Sequence, residues 1–401
     1  MMQKYNQKFI KSRNKGRVLK LLMDKGPISR ADISKELGVV RSTVSEITNE
    51  LISSGLVNEG EKVTGNVGKR PTLLSFNGNF LYFVAVVISP NGISTAICNL
   101  TGEILEEDTT IYPDDQNVGD ILGSTVKKIN QLISKIDIDI NRINFISVGS
   151  PETFSKKTGK IKWAPYTRDW VGVDLKSFFE KEFNIEIIMK DHVKLETLGE
   201  QWKSYNNISN MVYLVITRGI GAGVVIDGKI REGQNGYLGE IAFLPISEKQ
   251  NYQEIENQDK NLGYFESKCD VIKINEMVEA YLKSKGKDSD IKDFSIIADL
   301  YRNNLDVSAL INRGIIRTMA LGISTMIILL DPEIVVLNGE ILELGKDFLD
   351  LLRSEVYKLT PYKRKIVFSK LEKKSGVFGA IKNGLDWIEE NTVRDPDAFY
   401  K

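Results

Sequence analysis

The stretch PISRADISKELGVVRSTVSEITNELISSGLV, residues 27–57, holds two short helical patterns separated by a tight turn. Ile28, Ile33 and Leu37 recur at helical spacing. Ser29 stands as N-cap with Asp32 three residues on, a capping-box arrangement. Gly38 can adopt the positive φ that ends such a helix. The second pattern puts Val44, Ile47, Leu51 and Ile52 on one face. It turns Arg41, Ser42, Thr43, Ser45 and Asn49 to the other, small polar or cationic groups able to reach base edges and phosphates. This predicts a helix-turn-helix with the recognition helix second. The plain alternative is an αα-hairpin with no nucleic-acid role. Val40, just before Arg41, offers no capping side chain, a deficit of about 1 kcal/mol relative to Ser or Asn.

Upstream, residues 17–25 read as a first helix with Val18, Leu21 and Leu22 inward, stopped by Gly26-Pro27. Downstream, Gly55 caps the recognition helix, and residues 56–57 and 73–76 read as two short strands around a polar tip, TGNVGKRP. The pair forms a wing whose Lys69 and Arg70 could hold a phosphate backbone or enter a minor groove, or be a solvated charged turn. Asn77-Gly78-Asn79 reads as a linker.

Charge supports the DNA reading. Residues 1–80 hold 14 Lys/Arg against 7 Asp/Glu; subtracting from 54 of each leaves 40 against 47 in the rest, so zero net charge hides a basic head on an acidic body. Phosphate contacts supply most non-specific affinity for DNA. At 401 residues the chain can form two or three domains with substantial cores. Cys98 and Cys269 have no zinc or redox spacing, which suits a reducing compartment. No apolar signal core opens the sequence, and the richest apolar run, residues 319–330, reads as too short and interrupted to span a bilayer. A cytoplasmic protein without a membrane partner is expected.

From residue 81 the pattern changes to an α/β body. Strands are expected over 81–88, 93–98 and 104–111, with turns at Asn91-Gly92 and Thr101-Gly102, then a helix over 118–136 and a buried strand over 143–148. The order recurs with strands 211–216 and 221–226, a turn at Asp227-Gly228, further helices and a strand over 334–337. The duplication suggests two lobes with a ligand cleft between them. An apolar helix over 310–330, containing Gly322, is expected at a lobe or subunit interface. A last helix, 376–390, is expected to cross back to the first lobe.

The run TRGIGAGVVIDGKIREGQNGYLGEIAF, residues 217–243, resembles the ROK family of repressors, open reading frames and sugar kinases. The resemblance extends to Trp163-Ala164-Pro165, to WVGVDL at 170–175, to residues 190–200 and to LDPEIVVLNG at 330–339. With the winged helix it covers nearly the whole chain. It implies an α/β fold: an N-terminal winged helix-turn-helix followed by a two-lobed, actin-like (sugar kinase/ribonuclease H-like) body. The corresponding division is residues 1–78 for the head, 79–190 plus 376–401 for the first lobe, and 191–375 for the second. Gly219, Gly221 and Gly223 either let the backbone approach a phosphate, as in nucleotide-binding relatives, or merely shape a strand turn.

Phosphoryl transfer needs a nucleotide-phosphate loop, charge stabilisation and a group that orients or deprotonates the hydroxyl. Family kinases carry an Asp-x-Gly-Gly-Thr loop where this chain reads ISPNGIS, residues 88–94. Their catalytic Asp is matched by His192, the only histidine, with Asp191 one residue away. The family zinc motif is also unmatched: Phe243 replaces its His, QDKNLGYFE at 258–266 replaces its Cys run, and Cys269 lies outside it. No kinase activity, cofactor or zinc is expected. Sugar recognition needs carboxylates and amides that lose hydrogen bonds when the wrong sugar enters. The resemblance implies such contacts at Glu240 and Glu266, with His192, Asp191, Lys194, Tyr166 and Glu152 at positions where the family's usual residues have changed. Glu240 could instead cap a helix, and Glu266 could be a solvated helix charge.

The expectation is therefore a DNA-binding regulator of carbohydrate genes, most simply a repressor. A homodimer or homotetramer would span a pseudo-palindromic double-stranded operator, and a carbohydrate effector would bind the interlobe cleft. A sugar kinase carrying a DNA-binding head, or a regulator whose cleft binds nothing, are the competing readings.

Overall fold

A computed structural model describes the chain except residues 1, 63–70, 90–91, 113–115, 163, 165–167, 247–262, 288–290, 292 and 397–401. The head comprises helix α1 (Met2–Lys25), strand β1 (Ile28–Ser29), helices α2 (Arg30–Leu37) and α3 (Arg41–Ser53), and strands β2 (Val57–Lys62) and β3 (Thr72–Phe76). The short β1 joins the wing strands in a three-stranded sheet ordered β1-β3-β2. Local chemistry sets the helix ends. Ser29 accepts from the Asp32 amide, Gly38 sits at φ 64°, and Val40 is the N-cap of α3 without a side-chain hydrogen bond. Helix α1 starts 15 residues before the expected residue 17. Its early turns lack an apolar repeat; they are held instead by Lys11 against Glu46 and Glu50 and by Lys15 against Glu50 on α3.

The body has two five-stranded sheets of the same design. Strands β4 (Tyr82–Ser89), β5 (Gly92–Asn99), β6 (Ile104–Thr110), β7 (Ile143–Ser150) and β8 (Glu186–Asp191) are ordered β6-β5-β4-β7-β8. Strands β9 (Met211–Ile216), β10 (Ile220–Ile226), β11 (Lys229–Arg231), β12 (Ile334–Asn338) and β13 (Lys365–Phe368) are ordered β11-β10-β9-β12-β13. In each sheet three antiparallel strands are extended by two parallel ones. Helix α4 (Val118–Lys135) and helix α5 (Leu175–Phe183) cover the first sheet with Ile121, Ile129 and Phe179 inward.

Helix α6 (His192–Ser204) leads from β8 towards the second lobe and lies against the Ser375–Arg394 helix, which packs on the first sheet: a Cβ on its Gly384 would sit 2.7 Å from the Phe83 ring of β4. The helix Leu305–Leu330 starts five residues before the expected 310, and by length and composition it could cross a membrane. Half of its apolar window is buried, with Ile311, Ile315, Met319, Ile323 and Ile327 in the second lobe's core. Gly322 lets the Phe265 ring reach it; a Cβ there would lie 2.5 Å from Cζ.

Candidate functional site

On the head, Arg41 and Ser42 are exposed at the start of α3, with Thr43 and Ser45 half-buried beside them. The opposite side of α3 is consumed by the core residues Val44, Ile47 and Leu51. Asn49 is exposed but already engaged: its Oδ1 accepts from Arg30 Nη2 at 3.2 Å. Arg30 also donates from Nε to the Thr48 hydroxyl at 3.0 Å and pairs with Glu59 of β2 at 2.8 Å. This arginine ties α2, α3 and the wing together, and the α3 pattern alone gave no sign of it. Lys69 and Arg70 lie outside the described residues.

Between the lobes lies a cleft of about 1080 Å³, its open mouth included. Glu152, Asp191, His192, Lys194, Glu240 and Glu266 all line it, so six of the seven expected sugar contacts share one cavity. Tyr166 lies outside the described residues. Asp191 is the N-cap of α6 and accepts from the Lys194 amide at 3.2 Å. The buried Lys194 side chain reaches Asp191 at 3.5 Å and donates to the Gly236 carbonyl at 2.9 Å. His192 Nδ1 lies 3.3 Å from the Ser150 carbonyl oxygen. Burial pushes the imidazole pKa down, against the opposing pull of Asp191.

Glu240 and Glu266 differ from their plain alternatives. Glu240 precedes a short 3-10 turn without capping it, and Oε1 accepts from the Thr153 hydroxyl at 2.7 Å. Glu266 is only 3% exposed. Its Oε1 accepts from the Ile220 amide at 3.0 Å, while Oε2 is buried with no hydrogen-bond partner among the described residues. Burial raises the pKa of both carboxyls, that of Glu266 to about 8. An orphaned oxygen of that kind is costly unless a ligand or water completes it.

Gly221 and Gly223 serve packing. A Cβ on Gly221 would come within 2.9 Å of Val193, and one on Gly223 within 1.8 Å of the Thr197 hydroxyl. They let β10 lie directly on α6. Where a kinase would place its phosphate loop, β4 and β5 pair antiparallel up to Ser89 and Gly92, and the Tyr112 hydroxyl donates to the Ser89 carbonyl. Among the described residues, no three His, Cys, Asp or Glu side chains gather to hold a metal ion.

Further residues in and beside the cleft were not singled out by the sequence reading. Tyr112, Thr153 and Arg218 line the cavity. Glu232 clasps the lobes by pairing with Lys156 and, at 2.5 Å, with Lys190. Burial would raise its carboxyl, but Lys190 and Lys156 outweigh it and hold the pKa down to about 2. The run of residues 217–243 did contain both Arg218 and Glu232; the Glu232 pairs join residues too distant in sequence for spacing to reveal.

Comparison with known proteins agrees with both halves of this architecture. Residues 11–58 match the winged helix-turn-helix DNA-binding family, and residues 84–383 match the ROK family. The chain is similar to the xylose repressor of Caldicellulosiruptor bescii, 26% identical over 388 residues, covering 94% of this chain and 96% of that one. Its fold is similar to a crystal structure of a ROK family transcriptional regulator described as a homolog of the E. coli MLC protein, with TM-score 0.74, 23% identity and coverage of 96% and 99%. A ROK glucokinase from Streptomyces griseus, solved with glucose and AMPPNP, matches with TM-score 0.61, 17% identity and coverage of 75% and 98%. With three quarters of its length matched by that family and a winged helix-turn-helix ahead of it, the chain belongs to the ROK family.

Proposed function

We propose that this protein is a transcriptional repressor of sugar-utilisation genes, relieved by a carbohydrate bound between its lobes. The observation that carries the reading is the pairing of a DNA-binding head with a cleft holding a buried carboxyl whose Oε2 has no partner among the described residues. A sugar hydroxyl is the size and polarity that would complete Glu266, with Glu240, His192 and Lys194 reading neighbouring hydroxyls. The near full-length similarity to a xylose repressor makes D-xylose the first candidate. Phosphoryl transfer is disfavoured: residues 88–94 lack the family loop, and Asp191 is committed to capping α6.

In this reading Arg41, Ser42, Thr43 and Ser45 contact bases. Lys69 and Arg70 hold the backbone, and two or four copies present paired heads to a pseudo-palindrome. The effector releases DNA only if it favours a lobe arrangement that misplaces those heads. The test is a mobility-shift assay on the DNA upstream of the chain's own gene, with and without D-xylose and N-acetylglucosamine. Sequence-specific binding weakened by one sugar is expected; binding without sequence preference at physiological salt would sink the reading.

A further inference from the structure

Helix α6 begins in the cleft and is packed backbone against backbone on the Ser375–Arg394 helix. A Cβ on Gly379 would lie 1.7 Å from the Leu195 carbonyl oxygen, and one on Gly199 would lie 2.1 Å from that of Ser375. Glu200, also on α6 and fully buried, grips the start of the crossing helix. Its carboxylate accepts from the Ser369 hydroxyl at 2.6 Å, from the Lys370 and Leu371 amides at 2.9 and 3.3 Å, and from the Ser375 hydroxyl at 3.4 Å. Helices joined without intervening side chains cannot slide independently.

The far end of the crossing helix holds the head. A Cβ on Gly16 of α1 would meet the Thr392 and Val393 carbonyl oxygens at 2.8 and 2.9 Å. Lys20 of α1 pairs with Glu389, and Ile388 shares one apolar cluster with Val18, Leu19 and Leu22. Helix α1 in turn grips the recognition helix through Lys11 and Lys15. With 20 residues, the crossing helix spans about 30 Å.

We propose that the crossing helix positions the DNA-binding head, with Glu200 and the Lys20–Glu389 pair as positioning residues at its two ends. A shift of α6 at the cleft travels along this helix, through the Gly16 contact, to the recognition helix. The inference deepens the repressor reading by naming the route its regulation takes.

The test has two arms on the full chain. Amide hydrogen exchange, without DNA or sugar, compares the wild type with Glu200→Gln, and with Ser369→Ala should the first variant fold poorly. Exchange at residues 16–22 of α1 is expected to change by about tenfold, a coupling of ordinary allosteric size. A change that stops inside the crossing helix overturns the proposal. The second arm measures affinity for the upstream DNA. Glu389→Lys adds positive charge, which by itself strengthens phosphate attraction, yet it is expected to weaken specific binding about tenfold, with Lys20→Glu added to Glu389→Lys restoring it. Unchanged or tighter binding by Glu389→Lys, or no rescue, overturns the positioning role. Wild type that binds DNA without sequence preference defeats the repressor reading alone, because the exchange arm uses neither partner.

Discussion

The Thr153 hydroxyl donates to the Glu240 carboxylate at 2.7 Å, one lobe reaching into the other across the mouth of the cleft. A sugar entering beside this bond can share the carboxylate or replace the threonine. Either way, its affinity depends on Glu240. Glu240→Ala is expected to weaken D-xylose binding by roughly 1.5–3 kcal/mol, the usual contribution of a hydrogen bond to a charged group. Titration calorimetry on wild type and variant gives the number, and equal affinities would remove Glu240 from the binding site.

The pH dependence of stability has two opposed windows. Burial pushes the Glu266 and Glu196 carboxyls up to about 8 from the ordinary 4.5. The folded chain therefore holds these protons more tightly than the unfolded one. Their contribution is complete below pH 4.5 and is lost as pH rises through about 8. Glu232 is held down to about 2, so its contribution is present above pH 4.5 and lost as pH falls through about 2. Thermal melts in a pH series should show Glu266→Gln gaining on the wild type between pH 5 and pH 8, and the penalty of Glu232→Gln shrinking in acid. Parallel curves would contradict both assignments.

Val40 stands 70% exposed at the N-cap of the recognition helix and offers its amides nothing. Val40→Ser is expected to stabilise the head by about 1 kcal/mol. A lowered melting temperature would argue against a helix that starts at Arg41.

Arg41 is exposed on the outer face of α3, with Ser42 beside it. Arg41→Ala is expected to cost about 1–3 kcal/mol on the specific site and to relax the preference at one base. Fluorescence anisotropy on the upstream DNA and on a scrambled duplex separates this from a plain phosphate contact, which would weaken both equally.

Much of this was legible because it is local. The Ser29 cap, the Gly38 turn and the bare Val40 start are written in adjacent residues, and the structure places all three as read. The three antiparallel strands of the first sheet announce themselves by turn residues and apolar runs. The short β1, β11 and β13 carry too few residues for a pattern and exist because a neighbouring strand completes them. The first 15 residues of α1 show no apolar stripe, since what fixes them is Lys11 and Lys15 on Glu46 and Glu50 of another helix. In the cleft, motif positions led to Glu240 and Glu266, but not to Tyr112 or Thr153, whose roles come from partners 23 and 87 residues away. Gly221 and Gly223 were ambiguous in principle. A residue without a side chain looks the same whether a phosphate or a helix takes the space.

The linker changes what it means to call the head a domain. Asn77 Nδ2 donates to the Gly55 carbonyl at 2.8 Å, Asn99 donates to Asn79 at 2.9 Å, and Arg142 of the first lobe holds the Asn79 and Phe80 carbonyls. Around this clamp, Leu22 and Leu74 of the head belong to the same apolar cluster as Phe83, Phe145 and Ile381 of the body. A shared core of this kind makes one cooperative unit of folding. Calorimetry should then show the head and first lobe melting in a single transition, and residues 1–78 cut away from the body should lose helical protection in α1 before anything else.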